Sequence, residues 1–312
     1  MPVANGAEIY WSETNSDAVF GASVADGSNQ RKIRDLDDTG RGERNYAITA
    51  VAFADDLLYF TAAEQDRIYY ASTLGTTPRG QFINLDNTFG GTDYRPQGIA
   101  ANSDYVFWTD RATDIVYRAD AGPALNRTGA MELVDRSANN AALRGISVFG
   151  DDLYWTDTSA DAIFRSDLNG NGVTQLIDLE NIFGNDSYFP DWVTATDQYL
   201  FWSDIETDII YRADRDGSNA IELIDTNAQA SDGPTGLTTD GLFLYWTTFA
   251  GNGIVVATLD GEIIDDPSFT PAGDPTVSGV NVNALAIAYV PEPASLGLMG
   301  LGWLAIFRRR RD

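Results

Sequence analysis

Residues 153–156 read Leu153-Tyr154-Trp155-Thr156, and this short aromatic cluster recurs through the chain at nearly constant intervals. The central aromatic residue of the six copies is Trp11, Phe60, Trp108, Trp155, Trp202 and Trp246. Neighbouring copies are 44 to 49 residues apart. A repeat of this length, built from several short strands, is typical of the blades of a β-propeller.

The residues around each cluster keep one register. Six residues after the central aromatic stands a residue whose side chain suits a tight turn, namely Asp17, Asp66, Asp114, Asp161, Asp208 or Asn252. Nine residues before it, five copies carry an apolar residue in a short strand, namely Val51, Ile99, Ile146, Val193 and Leu237. The repeat therefore predicts four antiparallel strands in each blade.

The first aromatic strand, around Trp11, has no such partner upstream. The missing sixth copy stands at the other end of the chain, within residues 283–288. We therefore predict an all-β, six-bladed β-propeller over residues 1–290. Its C-terminal strand pairs with its N-terminal strand, which closes the ring and removes exposed sheet edges.

Composition narrows the possible functions. The formal net charge of the 312 residues is −26, and Lys32 is the only lysine. Such a chain lacks the basic groups that neutralise phosphates, so we expect no nucleic-acid partner. The sequence contains neither cysteine nor histidine. This rules out thiolate chemistry, histidine-ligated zinc and a Ser-His-Asp triad within these residues, and we assign no catalytic residue.

Three copies of the cluster carry a family resemblance. They read Phe107-Trp108-Thr109-Asp110, Tyr154-Trp155-Thr156-Asp157 and Phe201-Trp202-Ser203-Asp204, with Arg118, Arg165 and Arg212 in the following strands. These segments resemble the YWTD repeats of low-density-lipoprotein-receptor propellers. The motif aspartate is replaced at Glu13, Ala62 and Thr248, and the flanking disulfide-rich modules are absent. The resemblance implies the six-bladed fold but not the receptor role. Since the Asp and Arg residues recur once per blade, we assign them a structural role.

The last 22 residues form a separate segment with three parts. It opens with Pro291, Glu292 and Pro293, continues with the uncharged stretch 294–307, and ends with Arg308, Arg309, Arg310 and Arg311. This order resembles the PEP-CTERM sorting signal of Gram-negative bacteria. The resemblance implies recognition by an exosortase, transient membrane insertion of a short C-terminal hydrophobic helix, and delivery to the cell envelope or extracellular matrix. The alternative is an ordinary membrane anchor, for which the stretch is short.

An exported chain is expected to begin with a basic and then an apolar signal segment. Residues 1–6, Met-Pro-Val-Ala-Asn-Gly, contain neither, so no signal peptide is visible. Either the true start lies upstream, as we expect, or the signal was removed from this chain.

Ligands of propellers commonly bind at the mouth of the central channel, which the innermost strands line. Two positions before each core apolar residue, the aligned residues are all polar: Thr49, Gln97, Arg144, Asp191, Thr235 and Asn283. A converging polar ring is suited to a small ligand or a cation. Alternatively, these residues contact only water at the channel mouth and bind no ligand. Arg144 and Asp191 would then form a structural ion pair.

A cofactor candidate is Ca²⁺ at residues 167–178. Asp167, Asn169 and Asn171 match the opening of a calcium loop, and Asp178 stands at its twelfth place. The segment lacks the bidentate glutamate of such loops. It also coincides with the hairpin that other blades make with Asp-Gly, so a plain turn is the alternative.

Two functions remain open from the sequence. The first is a non-catalytic surface or matrix protein that binds a protein or glycan partner, with aromatic residues of two long loops as candidate contacts: Phe89, Tyr94, Phe183, Tyr188 and Phe189. The alternative for these aromatics is packing over the blades. The second function is a calcium-dependent lactonase of the senescence-marker-protein or paraoxonase type.

Overall fold

The computed structural model describes residues 8–13, 17–24, 28–36, 46–73, 79–91, 93–123, 129–184, 187–227, 233–248, 253–264 and 282–288. These residues form six antiparallel sheets arranged as the blades of a propeller. The innermost strands contact one another in a closed cycle. The six-bladed, ring-closed fold expected from the repeat is therefore confirmed.

The blades are given from the innermost strand outward. Blade 1 contains β23 (Val282–Ala288), β1 (Glu8–Glu13), β2 (Ala18–Ser23) and β3 (Arg31–Asp35). Blade 2 contains β4 (Val51–Ala54), β5 (Leu57–Ala62), β6 (Arg67–Ser72) and β7 (Arg79–Asn84). Blade 3 contains β8 (Pro96–Ala101), β9 (Tyr105–Asp110), β10 (Ile115–Asp120) and β11 (Met131–Asp135).

Blade 4 contains β12 (Leu143–Phe149), β13 (Asp152–Asp157), β14 (Ala162–Asp167) and β15 (Thr174–Asp178). Blade 5 contains β16 (Pro190–Ala195), β17 (Tyr199–Asp204), β18 (Ile209–Asp214) and β19 (Ile221–Asp225). Blade 6 has three strands among the described residues, β20 (Pro234–Thr239), β21 (Phe243–Thr248) and β22 (Ile254–Thr258). A single bridge between Ala257 and Ile263 extends its outer edge.

Short helices connect some of the strands. The α-helices α1 (Leu85–Phe89) and α2 (Leu179–Phe183) follow the outermost strands of blades 2 and 4, and the 3-10 helices span Ala63–Gln65 and Ser137–Asn139. Asn84 and Asp178 cap α1 and α2, since each side chain accepts a hydrogen bond from a backbone N–H of the first turn.

The key aromatics lie between blades, where burial is complete. Trp11, Trp108, Trp155 and Trp202 are fully buried, and Trp246 is nearly so. In every blade the core apolar residue of the innermost strand pairs directly with the central aromatic. These pairs are Leu285–Trp11, Val51–Phe60, Ile99–Trp108, Ile146–Trp155, Val193–Trp202 and Leu237–Trp246. The predicted register is confirmed, including the pairing of the C-terminal strand with the N-terminal one.

The turn residues take the conformation that their type suggests. Asp17, Asp66, Asp114, Asp161 and Asp208 all have φ between 46° and 58°. Asp tolerates this left-handed region better than most residues, because its side chain bonds the local backbone. The sixth turn residue, Asn252, lies outside the described residues.

Candidate functional site

The central channel has two distinct ends. The innermost strands β4, β8, β12, β16, β20 and β23 take the same place in each blade and run the same way along the channel. We call the end where they begin the N-terminal mouth and the end where they finish the C-terminal mouth. The polar residues singled out in the sequence lie at the N-terminal mouth.

Threonines of this polar set bond to protein groups. Thr49 Oγ1 lies 2.8 Å from Thr61 Oγ1 and donates to the Gln97 carbonyl oxygen of the next blade, also at 2.8 Å. Thr235 Oγ1 lies 2.9 Å from Thr247 Oγ1. The Gln97 side chain is half-buried, and the side chain of Asn283 is outside the described part of the chain. The Thr49 hydroxyl therefore joins blades 2 and 3, and the Thr235 hydroxyl bonds within blade 6.

Arg144 and Asp191 form an ion pair at the N-terminal mouth. Arg144 Nη1 lies 2.8 Å from Asp191 Oδ1, and the guanidinium lies 4.3 Å from the centre of the Phe189 ring. Asp191 is only 6% exposed. Burial raises the pKa of its carboxyl, while the Arg144 charge acts in the opposite direction. The pair spans blades 4 and 5, and removing one partner alone would leave the charge of the other uncompensated.

The carboxylates of the repeated motif are engaged with backbone groups of their own blade. Asp110 accepts hydrogen bonds from the N–H groups of Arg95, Ala112 and Thr113 and from the Thr113 hydroxyl. Burial raises the pKa of this carboxyl to about 6, although the hydrogen bonds favour its charged form. Asp204 makes the same set of contacts. These bonds join the inner loop of a blade to its aromatic strand.

Two of the repeated arginines join neighbouring blades. Arg118 Nη1 donates to the Leu168 carbonyl oxygen at 2.7 Å, and Arg212 Nη1 donates to the Leu259 carbonyl oxygen at 3.0 Å. Each guanidinium also lies over a tyrosine ring of its own blade. Arg165 differs, since it pairs with Asp152 within blade 4.

The four candidate calcium ligands do not converge. Asp167 accepts from the backbone N–H groups of Asn169 and Asn171, and Asn169 Oδ1 accepts from Arg118 Nη1 at 2.9 Å. Asp178 lies at the opposite end of β15, where it caps α2. Across the described residues, no group of three or more acidic side chains is placed to hold a metal ion. The geometry of this segment is that of a hairpin turn, with an arginine where a cation ligand was expected.

The loop aromatics pack over the blades. Tyr94 is 7% and Tyr188 4% exposed. Phe89 lies 4.8 Å from Tyr117, and Phe183 lies 4.9 Å from Tyr211, measured between ring centres. Of the two roles that the sequence left open for Tyr94 and Tyr188, the structure shows packing over the blades.

The C-terminal mouth holds a cavity of about 600 Å³. Its wall is built by three consecutive positions of every innermost strand, beginning with the core apolar residue. In blade 5, for example, these are Val193, Thr194 and Ala195. The loops after β16 and β20 add Asp197, Gln198, Asp240 and Gly241 at the rim, and Trp192 also lines the wall. This volume is within the usual range of small-ligand pockets.

Sequence reasoning missed this cavity, although the signal was present. The wall residues stand in the same aligned register that identified the polar ring, only two to four positions later. The aligned column after the core apolar residue reads Ala52, Ala100, Ser147, Thr194, Thr238 and Ala286. When the residue type at one aligned position differs between blades of an otherwise regular repeat, the blades are not equivalent there.

The fold and tail define the class of protein as a six-bladed β-propeller followed by a sorting signal. Residues 290–311 match the model of the PEP-CTERM protein-sorting motif. This motif implies export and recognition by exosortase, a sorting enzyme, in the cell envelope of Gram-negative bacteria. The predicted C-terminal helix and the residues of the motif lie outside the described residues. Within the described ones, no helix has the length and apolar content to cross a bilayer.

Solved structures share the fold at low sequence identity. The chain is similar to the crystal structure of the nidogen/laminin complex, with a TM-score of 0.71, 19% identity, and coverage of 91% of this chain and 99% of that one. It is also similar to a catalytically inactive histidine-to-alanine variant of virginiamycin B lyase from Staphylococcus aureus with quinupristin. That match has a TM-score of 0.58 and 16% identity, and covers 87% of this chain and 82% of that one.

A streptogramin B lyase structure matches with a TM-score of 0.53 and 17% identity, covering 84% of this chain and 75% of that one. A comparison with curated proteins found no significant match. At these identities the similarities establish the six-bladed fold alone.

Proposed function

We propose that this chain is an exported, surface- or matrix-sorted, non-catalytic β-propeller that binds a protein or glycan partner. The observation that carries the proposal is the direct junction between ring and signal. The ring-closing strand β23 ends at Ala288, and the match to the sorting motif begins at residue 290. A propeller attached in this way is suited to display at the envelope rather than to work inside the cell.

A binding role is supported by the resemblance to a propeller solved in the nidogen/laminin complex. It is also supported by the placement of the polar side chains. The motif carboxylates Asp110 and Asp204 are engaged in backbone hydrogen bonds. The Asp191 carboxylate is buried and paired with Arg144. None of these groups has the nucleophile–base arrangement that hydrolysis requires.

The second candidate function is an enzyme, favoured only by the fold shared with lyases. The lyase variant of that comparison is inactive after replacement of a histidine, whereas the present sequence contains no histidine. A calcium-dependent lactonase needs six to eight oxygen ligands around one ion. At the N-terminal mouth, Arg144 occupies part of that space. We therefore rank this candidate second.

Sorting is tested by expressing the full chain behind an added export signal peptide, since residues 1–6 contain none, in a Gram-negative host with and without an exosortase. We expect processing and surface or matrix delivery only when the enzyme is present. Replacing Pro291, Glu292 and Pro293 by Ala abolishes processing, whereas replacing Pro271 and Pro275 by Ala, a matched change outside the motif, does not. Equal fractionation of all variants would contradict the sorting proposal.

Catalysis is tested with the same purified chain in a lactone-hydrolysis assay with and without a calcium chelator. We expect no chelator-sensitive turnover, together with capture of envelope protein or matrix polysaccharide that survives chelation. Calcium-dependent hydrolysis would favour the second candidate.

A further inference from the structure

The wall of the C-terminal cavity has two chemically different halves. At the position after the core apolar residue, blades 1, 2 and 3 carry Ala286, Ala52 and Ala100. Blades 4, 5 and 6 carry Ser147, Thr194 and Thr238 at the same position, and all six residues line the cavity. One half of the ring therefore carries alanines at this position, and the other half carries hydroxyl-bearing side chains.

A tryptophan breaks the repeat on the hydroxyl half. The position before the core apolar residue is Gly or Ala in five blades, because the neighbouring blade approaches closely there. A Cβ atom at Gly145, for instance, would lie 2.6 Å from the Asp191 carbonyl oxygen. In blade 5 this position is Trp192, whose 7% exposed side chain lines the cavity. Because the other five blades carry a small residue at this aligned position, Trp192 indicates a role beyond holding the blades together.

Several polar atoms of this half have no protein partner. The structure gives no hydrogen bond to the hydroxyls of Ser147, Thr194 and Thr238, or to the indole N–H of Trp192, from any described residue. Thr194 is nonetheless only 8% exposed. The neighbouring Thr239 hydroxyl, by contrast, donates to the Phe243 carbonyl oxygen at 2.7 Å. None of these four atoms belongs to the fully buried unpaired ones of the described residues, so they are accessible and can serve a ligand as donors and acceptors.

The wall itself is uncharged. Carboxylates stand only at its rim, at Asp197 and Asp240. Asp240 already accepts hydrogen bonds from the N–H groups of Leu242 and Phe243 and from the Tyr245 hydroxyl. With a net charge of −26 over the chain, an anionic ligand would be repelled. The wall therefore suits a neutral ligand with one polar and one apolar side.

We propose that this cavity binds a neutral hexose unit that carries a methyl-bearing substituent, as in an N-acetylated or a 6-deoxy sugar. The ring hydroxyls of the sugar bond to Ser147, Thr194, Thr238 and the Trp192 N–H. Its methyl group packs against Ala52, Ala100 and Ala286. This inference rests on the proposed function, since it assigns the glycan partner a chemical class and a site.

The test measures binding of N-acetylglucosamine and rhamnose to the full chain in a detergent without a sugar headgroup, by calorimetry and saturation-transfer NMR. We expect saturable binding of both sugars, with the ligand methyl group receiving the strongest transfer. Glucuronate, which is anionic, should bind at least tenfold more weakly.

Variants locate the binding. Thr194→Val and Thr238→Val keep the side-chain shape and remove one hydroxyl each, so each should weaken binding about 3- to 10-fold. Ala100→Leu fills the apolar half and should abolish binding. Thr174→Val, at an exposed position of β15, is the matched control and should leave binding unchanged. Melting temperatures identify any variant that has lost its fold.

Absence of saturable binding by both sugars would overturn the proposal, as would equal binding by the parent, Thr194→Val and Ala100→Leu chains. Tighter binding of a fatty acid than of either sugar would overturn it too. If the chain is still sorted and captures envelope material in those cases, the proposed function survives and only the cavity assignment falls.

Discussion

In blades 3 and 4, a threonine hydroxyl of the aromatic strand joins neighbouring blades. Thr156 Oγ1 accepts from the Gly145 N–H at 2.9 Å within blade 4 and donates to the Asp191 carbonyl oxygen of blade 5 at 3.1 Å. Thr109 accepts from Gly98 and donates to the Arg144 carbonyl oxygen in the same way. In these two blades the third residue of the motif is a threonine whose hydroxyl bonds both its own inner strand and that of the next blade.

The first prediction concerns this hydroxyl. Thr156→Val keeps the volume but leaves a buried N–H and a buried carbonyl oxygen without their partner, so we expect a loss of about 1–3 kcal/mol of unfolding free energy. Denaturant unfolding measures the loss. Thr174→Val, at an exposed site, should cost much less. Equal stability of the two variants would show that the bridging bonds contribute nothing.

The buried carboxyl of Asp110 makes stability depend on pH. Burial raises its folded-state pKa to about 6, above the value of about 3.9 in an unfolded chain. Between these values the folded chain binds more protons than the unfolded one. The stabilising contribution of this group is thus complete below pH 4 and is lost as the pH rises through 6. Burial shifts the pKa of Asp204 in the same direction.

The second prediction follows from this loss of stability with rising pH. Lowering the pH from 7 to 5 should increase the unfolding free energy through Asp110 by about 1 kcal/mol. The measurement compares the pH dependence of denaturant unfolding for the parent and for Asp110→Asn. The variant should show the smaller gain, whatever its absolute stability. Parallel curves for the two proteins would contradict the assignment.

Among the structural elements, the outer hairpins of the blades are joined by arginines. Arg118 extends from β10 to the hairpin after β14, where it bonds the Leu168 carbonyl oxygen and Asn169 Oδ1. Arg165, at the equivalent position of blade 4, turns back to Asp152 and is 41% exposed. The same residue in the same repeat therefore joins two blades in one case and stays within a blade in the other.

The third prediction uses this pair as its own control. Arg118→Met removes the group that donates to the neighbouring blade. We expect the unfolding free energy to fall by about 1–2 kcal/mol. Arg165→Met breaks an exposed pair within one blade and should cost under about 1 kcal/mol. Thermal and denaturant unfolding of the two variants measure the difference. A larger loss for Arg165→Met would contradict the inter-blade role of Arg118.

The sequence was sufficient for the strands, their turns and their register, because each depends on local pattern and period. Leu285 opposite Trp11 was found in this way, as was the left-handed turn at Asp114. The cavity at the C-terminal mouth was not found. In blades 3 to 6 the strand register shifts just before the core apolar residue, for example between Leu143 and Ile146. Such a bulge redirects side chains, so counting two residues back did not identify the cavity wall.

The loop aromatics show a second limit of sequence reasoning. Tyr94 and Tyr188 stand in polar, turn-rich segments that look exposed. They are buried because α1 and α2 bring the loops back over the aromatic strands. Non-local packing of this kind carries no periodic signal. By contrast, the uneven column of Ala, Ser and Thr in the cavity wall was visible in the aligned repeats.

At the scale of the whole molecule, one pairing determines whether the chain is a ring. β23 joins the two ends of the chain in a single sheet, with Ile9 opposite Ile287 and Trp11 opposite Leu285. Without it, β1 would have an unpaired edge, and the aromatic core between blades 1 and 6 would be open to water. The same strand ends at Ala288, and the match to the sorting motif begins at residue 290.

The most direct test of the closed ring is a disulfide between β1 and β23, since the parent chain has no cysteine to compete. Ile9→Cys with Ile287→Cys places two thiols directly opposite each other, within the Cα separation that a disulfide needs. We predict that this pair links on mild oxidation of the folded protein and raises its melting temperature. The control pair Ile9→Cys with Leu285→Cys, two residues out of register, should not link. Failure of the first pair to link, or linkage of the control pair instead, would contradict the six-bladed ring closed by β23.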